Sequence, residues 1–265
     1  MDFGLRDKVA LVSGGSKGMG RATAEELARE GARVLVVARG QEAIDETVAA
    51  IRAAGGVAEG LSVDMTDPEA IAAAVDQCAK LLGGEPDIAV ANVYGTPRLS
   101  FDTATPKDFR DGYDLLVLSA LHLANAVVPG MKRRNWGRIL TIGSFCVKKP
   151  HWHIPLIVDN VTRAGALALN KSLSNELGGY GITVNTIAPG FIATEMALAW
   201  MAQLAREQGQ EPAAASAALD ATIPLGRQGT PAEIAAAATF LCSERASYIT
   251  GQLITVDGGM VGALY

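Results

Sequence analysis

Short apolar runs alternate with amphipathic stretches along most of the chain. Val9-Ala10-Leu11-Val12 is followed by Ser13-Gly14-Gly15-Ser16-Lys17-Gly18-Met19-Gly20, then by a helix-like run from Arg21 to Ala28. Further short runs rich in apolar and β-branched residues read as strands over 33–38, 57–63, 88–91, 138–142, 181–187 and 252–256. Between them, helical spacing recurs over 41–53 (Ala43, Ile44, Val48, Ile51), 70–82, 107–131, 162–177 and 231–241, with a break expected near Pro129. Residues 196–221 are alanine-rich and polar without a strong core pattern, so 191–222 reads as a helical segment covering a site. Strand and helix alternate throughout. The expected fold is α/β: a single doubly wound Rossmann-like domain over 1–265 with a mostly parallel, seven-stranded sheet.

Bulk properties narrow the function classes. The 265 residues suffice for one large core, and no composition shift marks a linker. A net charge of -5 argues against nucleic acid or an anionic membrane as partner. No apolar run reads as long enough to cross a bilayer, and no signal-peptide pattern opens the chain. Cys78, Cys146 and Cys242 are odd in number and far apart, which points to a reducing, cytoplasmic setting and to neither disulfides nor a metal site.

The first strand, glycine turn and helix together have the form of a nucleotide-phosphate site. Glycines allow a sharp turn and close approach, and a helix N-terminus offers free N–H groups and a positive dipole end. The spacing Gly14-x-x-x-Gly18-x-Gly20 differs from GxGxxG. Arg39 ends the second strand where an acid would hold the ribose hydroxyls of NAD. With Lys17 it favours NADP, a base there accommodating the 2′-phosphate. Asp64, before Met65 at the end of the third strand, either accepts from the adenine amino group or caps the next helix.

These residues resemble the short-chain dehydrogenase/reductase family. Ser13 to Gly20 matches its Thr-Gly-x-x-x-Gly-x-Gly, and Asp64 its adenine-contacting acid. Asn92 matches the second Asn of its Asn-Asn-Ala-Gly stretch. Pro189, Gly190 and Thr194, with Ile192 between, match the segment that holds the nicotinamide carboxamide and pyrophosphate. The stretches 224–234 and 249–259 look like its C-terminal region, which in relatives builds dimers and tetramers. The resemblance implies an NADP-dependent oxidoreductase of a small-molecule substrate, with Gly14, Ser16, Lys17, Gly18, Met19, Gly20, Arg39, Asp64, Met65 and Asn92 at the cofactor. A homo-oligomer, dimer or tetramer, is implied as well.

The family's Asn, Ser, Tyr and Lys are poorly matched. Ser144 fits the Ser, the Tyr position falls on Asp159, the Lys position on Arg163 and the Asn position near Leu116. No Tyr-x-x-x-Lys occurs anywhere in the chain. Asp159 and Arg163, four apart, share a helix face. An adjacent arginine favours the carboxylate anion, a poor proton donor that can position a polar substrate, stabilise a cation or act as a weak base. The alternative is a helix-surface ion pair with no chemistry. Arg163 is also expected at the nicotinamide ribose. Ser144 is the candidate hydrogen-bond donor to substrate, or else purely structural. Tyr94, His151 and His153 are other candidate proton donors, and His122 reads as structural. The expected reaction is hydride transfer to a carbonyl, imine or activated alkene. The alternatives are a lyase, hydrolase or dehalogenase on the same scaffold, or a catalytically silent NADP-binding subunit. Halohydrin dehalogenases resemble the family too, but they keep the Tyr and lack a working cofactor site.

Overall fold

A computed structural model describes residues 2–151 and 154–263. The strands are β1 (Val9–Ser13), β2 (Arg33–Ala38), β3 (Val57–Ser62), β4 (Ile88–Ala91), β5 (Gly137–Ile142), β6 (Ile182–Pro189) and β7 (Leu253–Val256). Among the described residues they form one parallel sheet in the order β3-β2-β1-β4-β5-β6-β7. The helices are α1 (Gly18–Arg29), α2 (Gln41–Ala53), α3 (Pro68–Leu82), α4 (Pro106–Tyr113), α5 (Ser119–Arg134), α6 (Ile157–Leu177), α7 (Glu195–Glu207), α8 (Pro212–Asp220) and α9 (Pro231–Cys242).

Strand residues alternate between two cores, as the period of two in a strand requires. Ala10, Val12, Val34 and Val36 face α1, α2 and α9, meeting Leu27, Ile44 and Ile234. Val9, Leu11, Leu35 and Val37 face α3 and α5, meeting Ile71, Leu123 and Met131. Both faces are covered, which is why the strands carry so few polar residues. The expected single α/β Rossmann-like domain with a seven-stranded parallel sheet is the one observed. β2 leads outward to β3, then the chain returns to lay β4 on the other side of β1. This reversal opens a crevice at the carboxyl ends of β1 and β4, where ligands bind in such sheets.

Three expectations need correction. The region 107–131 does not break near Pro129. Val127, Gly130 and Met131 are buried, and this packing carries α5 past the hydrogen bond that proline lacks, to Arg134. The irregularity lies earlier, in a π-helical turn at Asp114–Leu118 that joins α4 to α5. Second, α6 begins at Ile157 and not near residue 162, which puts Asp159 in its first turn, where the helix dipole favours negative charge. Third, one helical stretch, Pro106–Arg134, is long and apolar enough by length and composition to cross a membrane. Half of its most apolar window is buried inside the domain, as in a core helix.

Cys78, Cys146 and Cys242 are free and buried, and burial pushes the Cys78 and Cys242 thiols up to about 12.

Candidate active site

The glycine turn is built by close approach. Gly14 has φ 55°, and a Cβ there would stand 2.3 Å from the Asn92 carbonyl oxygen. A Cβ at Gly20 would stand 2.2 Å from the Gly14 oxygen. Asn92 closes the contact by donating from Nδ2 to the Gly14 oxygen at 3.2 Å. The Ser13 hydroxyl links the ends of β1 and β4, accepting from the Asn92 N–H at 3.0 Å and lying 3.2 Å from the Asn92 carbonyl oxygen. The Ser16 carbonyl accepts from the buried Thr47 hydroxyl at 3.1 Å, so the far side of the turn is fixed to α2. At the start of α1, Lys17 makes no side-chain cap and the first turn holds no acidic residue. The orphan N–H groups of that turn remain available to an anion. Met19 turns its side chain into the core.

At the end of β2, Arg39 is exposed and its carbonyl accepts from the Ser62 hydroxyl at 2.9 Å. Asp64 does not cap α3. That cap is Asp67, whose Oδ1 accepts from the N–H groups of Glu69 and Ala70 at 2.9 and 3.2 Å. Asp64 instead accepts from the Thr66 N–H and hydroxyl through Oδ1. These bonds hold its carboxyl below the usual range, with the nearby Arg39 charge adding to them. Its Oδ2 has no hydrogen-bond partner among the described residues. Met65 beside it is buried.

After β6, the Gly190 N–H donates to the Val256 carbonyl at 3.0 Å, and buried Ile192 bridges to Gly229. Thr194 caps α7, accepting from the Ala197 N–H at 3.2 Å. Its Cγ2 lies 3.3 Å from where a Gly18 Cβ would be. The segment from Pro189 to Thr194 therefore lies against the glycine turn.

Ser144 follows β5 and caps a short 3-10 turn at Phe145–Val147, its Oγ accepting from the Cys146 N–H at 3.2 Å. It lines a cavity of about 20 Å³, room for one water. Arg163 lines it too, with Leu116 from the π-helical turn and the hydroxyl-bearing Thr141 and Thr186. Asn170 of α6 donates to both threonine hydroxyls, at 2.8 and 2.9 Å, a buried polar cluster that no sequence motif marked.

Asp159 and Arg163 form an ion pair of 2.6 Å between Oδ2 and Nε, but not on a helix surface. Their side chains are 8% and 12% exposed. A buried pair needs further hydrogen bonds to offset desolvation. Asp159 Oδ1 obtains them from Thr96, whose N–H lies at 3.1 Å and whose hydroxyl lies at 3.4 Å. Gly95 lies over the pair, since a Cβ there would meet Asp159 Oδ1 at 3.0 Å and Arg163 Nη2 at 3.1 Å. Sequence reasoning missed Gly95 and Thr96. Their only signal is a small residue pair soon after the end of β4.

Tyr94 is 53% exposed, turned outward from this pair's burial. His151 stands edge-on to Phe145 and Phe191, with ring centroids 6.4 and 5.7 Å away, and joins the segments after β5 and β6. His153, a candidate donor, lies outside the described residues. His122 is partly buried in α5.

A family model described as Enoyl-(Acyl carrier protein) reductase matches residues 14–261. The 3-oxoacyl-(acyl-carrier-protein) reductase of Vibrio cholerae serotype O1 is 36% identical over 256 residues, spanning 97% of this chain and 98% of its own. The short-chain reductase protein NovJ of Streptomyces niveus is 34% identical over 255 residues, 96% of this chain and 94% of its own. Among solved structures, L-sorbose reductase from Gluconobacter frateurii complexed with NADPH and L-sorbose matches with a TM-score of 0.93, 34% identity and full coverage of both chains. With the sheet order, the glycine turn and the crevice above it, these matches place the chain in the short-chain dehydrogenase/reductase family.

Proposed function

We propose that this protein is an NADPH-dependent oxidoreductase of small carbonyl or alcohol substrates, with imines and activated alkenes in the same range. The observation that carries the proposal is the glycine turn joined to an uncapped α1 N-terminus at the crevice between β1 and β4. That cradle fits a dinucleotide pyrophosphate, because a Cβ would fill the space where the backbone must come close. Gly14, Ser16, Gly18, Met19 and Gly20 would offer backbone there. Lys17 and Arg39 would hold a 2′-phosphate, and Asp64 Oδ2 and Met65 the adenine. Asn92 and the Pro189–Thr194 segment, including Gly190 and Ile192, would flank the nicotinamide side. Bound NADPH supplies a hydride from nicotinamide C4.

The chain's own residues must then orient the acceptor and handle the charge that develops on it. Ser144 and Arg163, which line the same cavity, are our candidates for holding the substrate oxygen. An arginine cannot give up its proton near neutral pH, so it would stabilise an alkoxide as a hydrogen-bond donor and not as an acid. This is an atypical member's solution, in a chain without Tyr-x-x-x-Lys. Tyr94, His151 and His153 are the candidate proton carriers. Arg163 also stands for the absent lysine at the nicotinamide ribose. We assign 191–222 as the cover of the substrate site. Trp200 of α7 supports this by stacking under Arg98 from the segment after β4, with 3.7 Å from Cζ to the ring centroid. A cytoplasmic homo-oligomer completes the proposal.

The test is the fall in nicotinamide absorbance with a panel of ketones, sugars and cyclic imines. Steady oxidation of NADPH by panel members, slowed by Ser144→Ala with unchanged NADPH affinity, supports the assignment. No consumption with any of them would overturn it.

A further inference from the structure

Resting on the oxidoreductase reading above, we infer that Asp159 works as a positioning residue: held by Thr96 beneath Gly95, it aims the free edge of Arg163 at the substrate and is neither acid nor base. Both Asp159 oxygens are already committed. Oδ1 faces the Thr96 N–H and hydroxyl, and Oδ2 accepts from Arg163 Nε. With 6% of the residue exposed, no carboxylate edge is left to reach a substrate.

Arg163 is the reverse case. Its Nε is used, while Nη1 and Nη2 form no hydrogen bond among the described residues. Neither counts among the sealed, unpartnered polar atoms, and the side chain lines the same cavity as Ser144. A guanidinium gripped at Nε presents its two Nη groups as a fixed pair of donors. The ligand chemistry that suits such an edge is an oxygen carrying full or developing negative charge.

The grip depends on the chain segment after β4. The Ile157 N–H donates to the Leu99 carbonyl at 3.3 Å, so the segment is tied to the start of α6 by this bond as well as by Asp159's own. Gly95 lets the backbone lie directly on the pair. Its φ is not in the left-handed region, so alanine there strains no backbone and acts only through the contacts of its Cβ, 3.0 Å from Asp159 Oδ1 and 3.1 Å from Arg163 Nη2. Gly95→Ala is thus a probe of position alone, and Asp159→Asn a probe of the Nε grip, since its amide can still accept from Thr96.

The experiment compares wild type, Gly95→Ala, Asp159→Asn, Arg163→Gln and the Asp159→Asn/Arg163→Gln double variant. The readouts are kcat, KM and the pH profile with a ketone that wild type reduces, and NADPH affinity by fluorescence. We expect Asp159→Asn and Gly95→Ala each to lower kcat about tenfold, as small misplacements of a catalytic group do. NADPH affinity should fall clearly less than kcat does, since Arg163 is one of many groups proposed on the cofactor, and the pH profile should keep its shape. In the Arg163→Gln background, Asp159→Asn should have no further effect, the non-additivity of a residue that acts through another. The inference is overturned if Asp159→Asn removes a limb of the pH profile, if it slows the Arg163→Gln variant further, or if Gly95→Ala turns over at the wild-type rate. The Arg163 Nε–H proton resonance provides a readout without turnover. It should be protected from exchange in wild type and exposed in Asp159→Asn. An unprotected wild-type resonance overturns the grip. If no ketone is reduced while the resonance is protected, the oxidoreductase reading fails and the grip stands.

Discussion

Arg39 and Lys17 are the two cations that separate NADPH from NADH in this account. Arg39 lies close enough to Asp64 for its charge to help hold that carboxyl low, so the two side chains share one end of the crevice, the end proposed for the adenosine. Arg39→Ala should weaken NADPH binding about tenfold while leaving NADH within about twofold, the scale of one lost charge-assisted contact. Raising the salt should weaken NADPH more than NADH in wild type, since the extra phosphate contacts are screened. Fluorescence titration of both cofactors measures this, and equal affinities unaffected by the substitution would remove the NADPH preference. Gly14 is a second residue-scale case. An alanine there has both a disfavoured φ and an atom 2.3 Å from the Asn92 oxygen, so Gly14→Ala should abolish NADPH binding in the same titration.

Individual elements show how much of this was legible beforehand. β2 (Arg33–Ala38) and α2 (Gln41–Ala53) run just where the apolar pattern placed them, because continuous apolar runs and 3.6-residue spacing are local signals. The glycine turn was equally legible, being a contiguous motif between a strand and a helix. What failed is what depends on tertiary contact. α5 survives Pro129 through its buried face, and α6 starts early enough to bury Asp159 under Thr96, a residue 63 positions away. A spacing of four identified the Asp159–Arg163 pair but carried no information on whether it faced water. Helix caps were half legible: Asp67 took the cap weighed for Asp64, three residues earlier. α9 carries a fuller cap, a box in which Thr230 and Glu233 exchange hydrogen bonds, with Arg227 also paired to Glu233. Arg227 and then the Thr230 N–H pull the Glu233 carboxyl down to about 2 from 4.5. A depressed carboxylate stabilises the fold above its unfolded value and loses that contribution as pH falls through the folded one. Glu233→Gln should therefore melt below wild type at pH 7, and the two melting curves should converge as pH falls from 4.5 towards 2. Thr230→Ala should cost about 1 kcal/mol at pH 7, the usual worth of such a cap. Thermal melts across that pH range check both.

At the scale of the whole molecule, a parallel sheet sealed by helices on both faces leaves its chemistry to the carboxyl ends of the strands, where β1, β4, β5 and β6 deliver Ser13, Asn92, Ser144 and Gly190 to one crevice. The outside of this domain still carries large apolar side chains, including Tyr248 at 102% exposure, Phe101 at 82% and Leu225 at 67%. Their exposure is in keeping with the proposed homo-oligomer; sedimentation at micromolar concentration should show a single species of four chains, the size the family resemblance implies, whereas a monomer would refute the assembly. Hydride passes from nicotinamide C4 to a substrate that we propose is held by Ser144 and Arg163. This transfer is tested most directly with NADPH carrying deuterium at both hydrogen positions of nicotinamide C4 and a ketone that the protein turns over, followed by mass spectrometry of the product. One deuterium should appear on the former carbonyl carbon for each NADPH consumed, with Arg163→Gln slowing the transfer. Turnover with no label in the product and unchanged nicotinamide absorbance would contradict it.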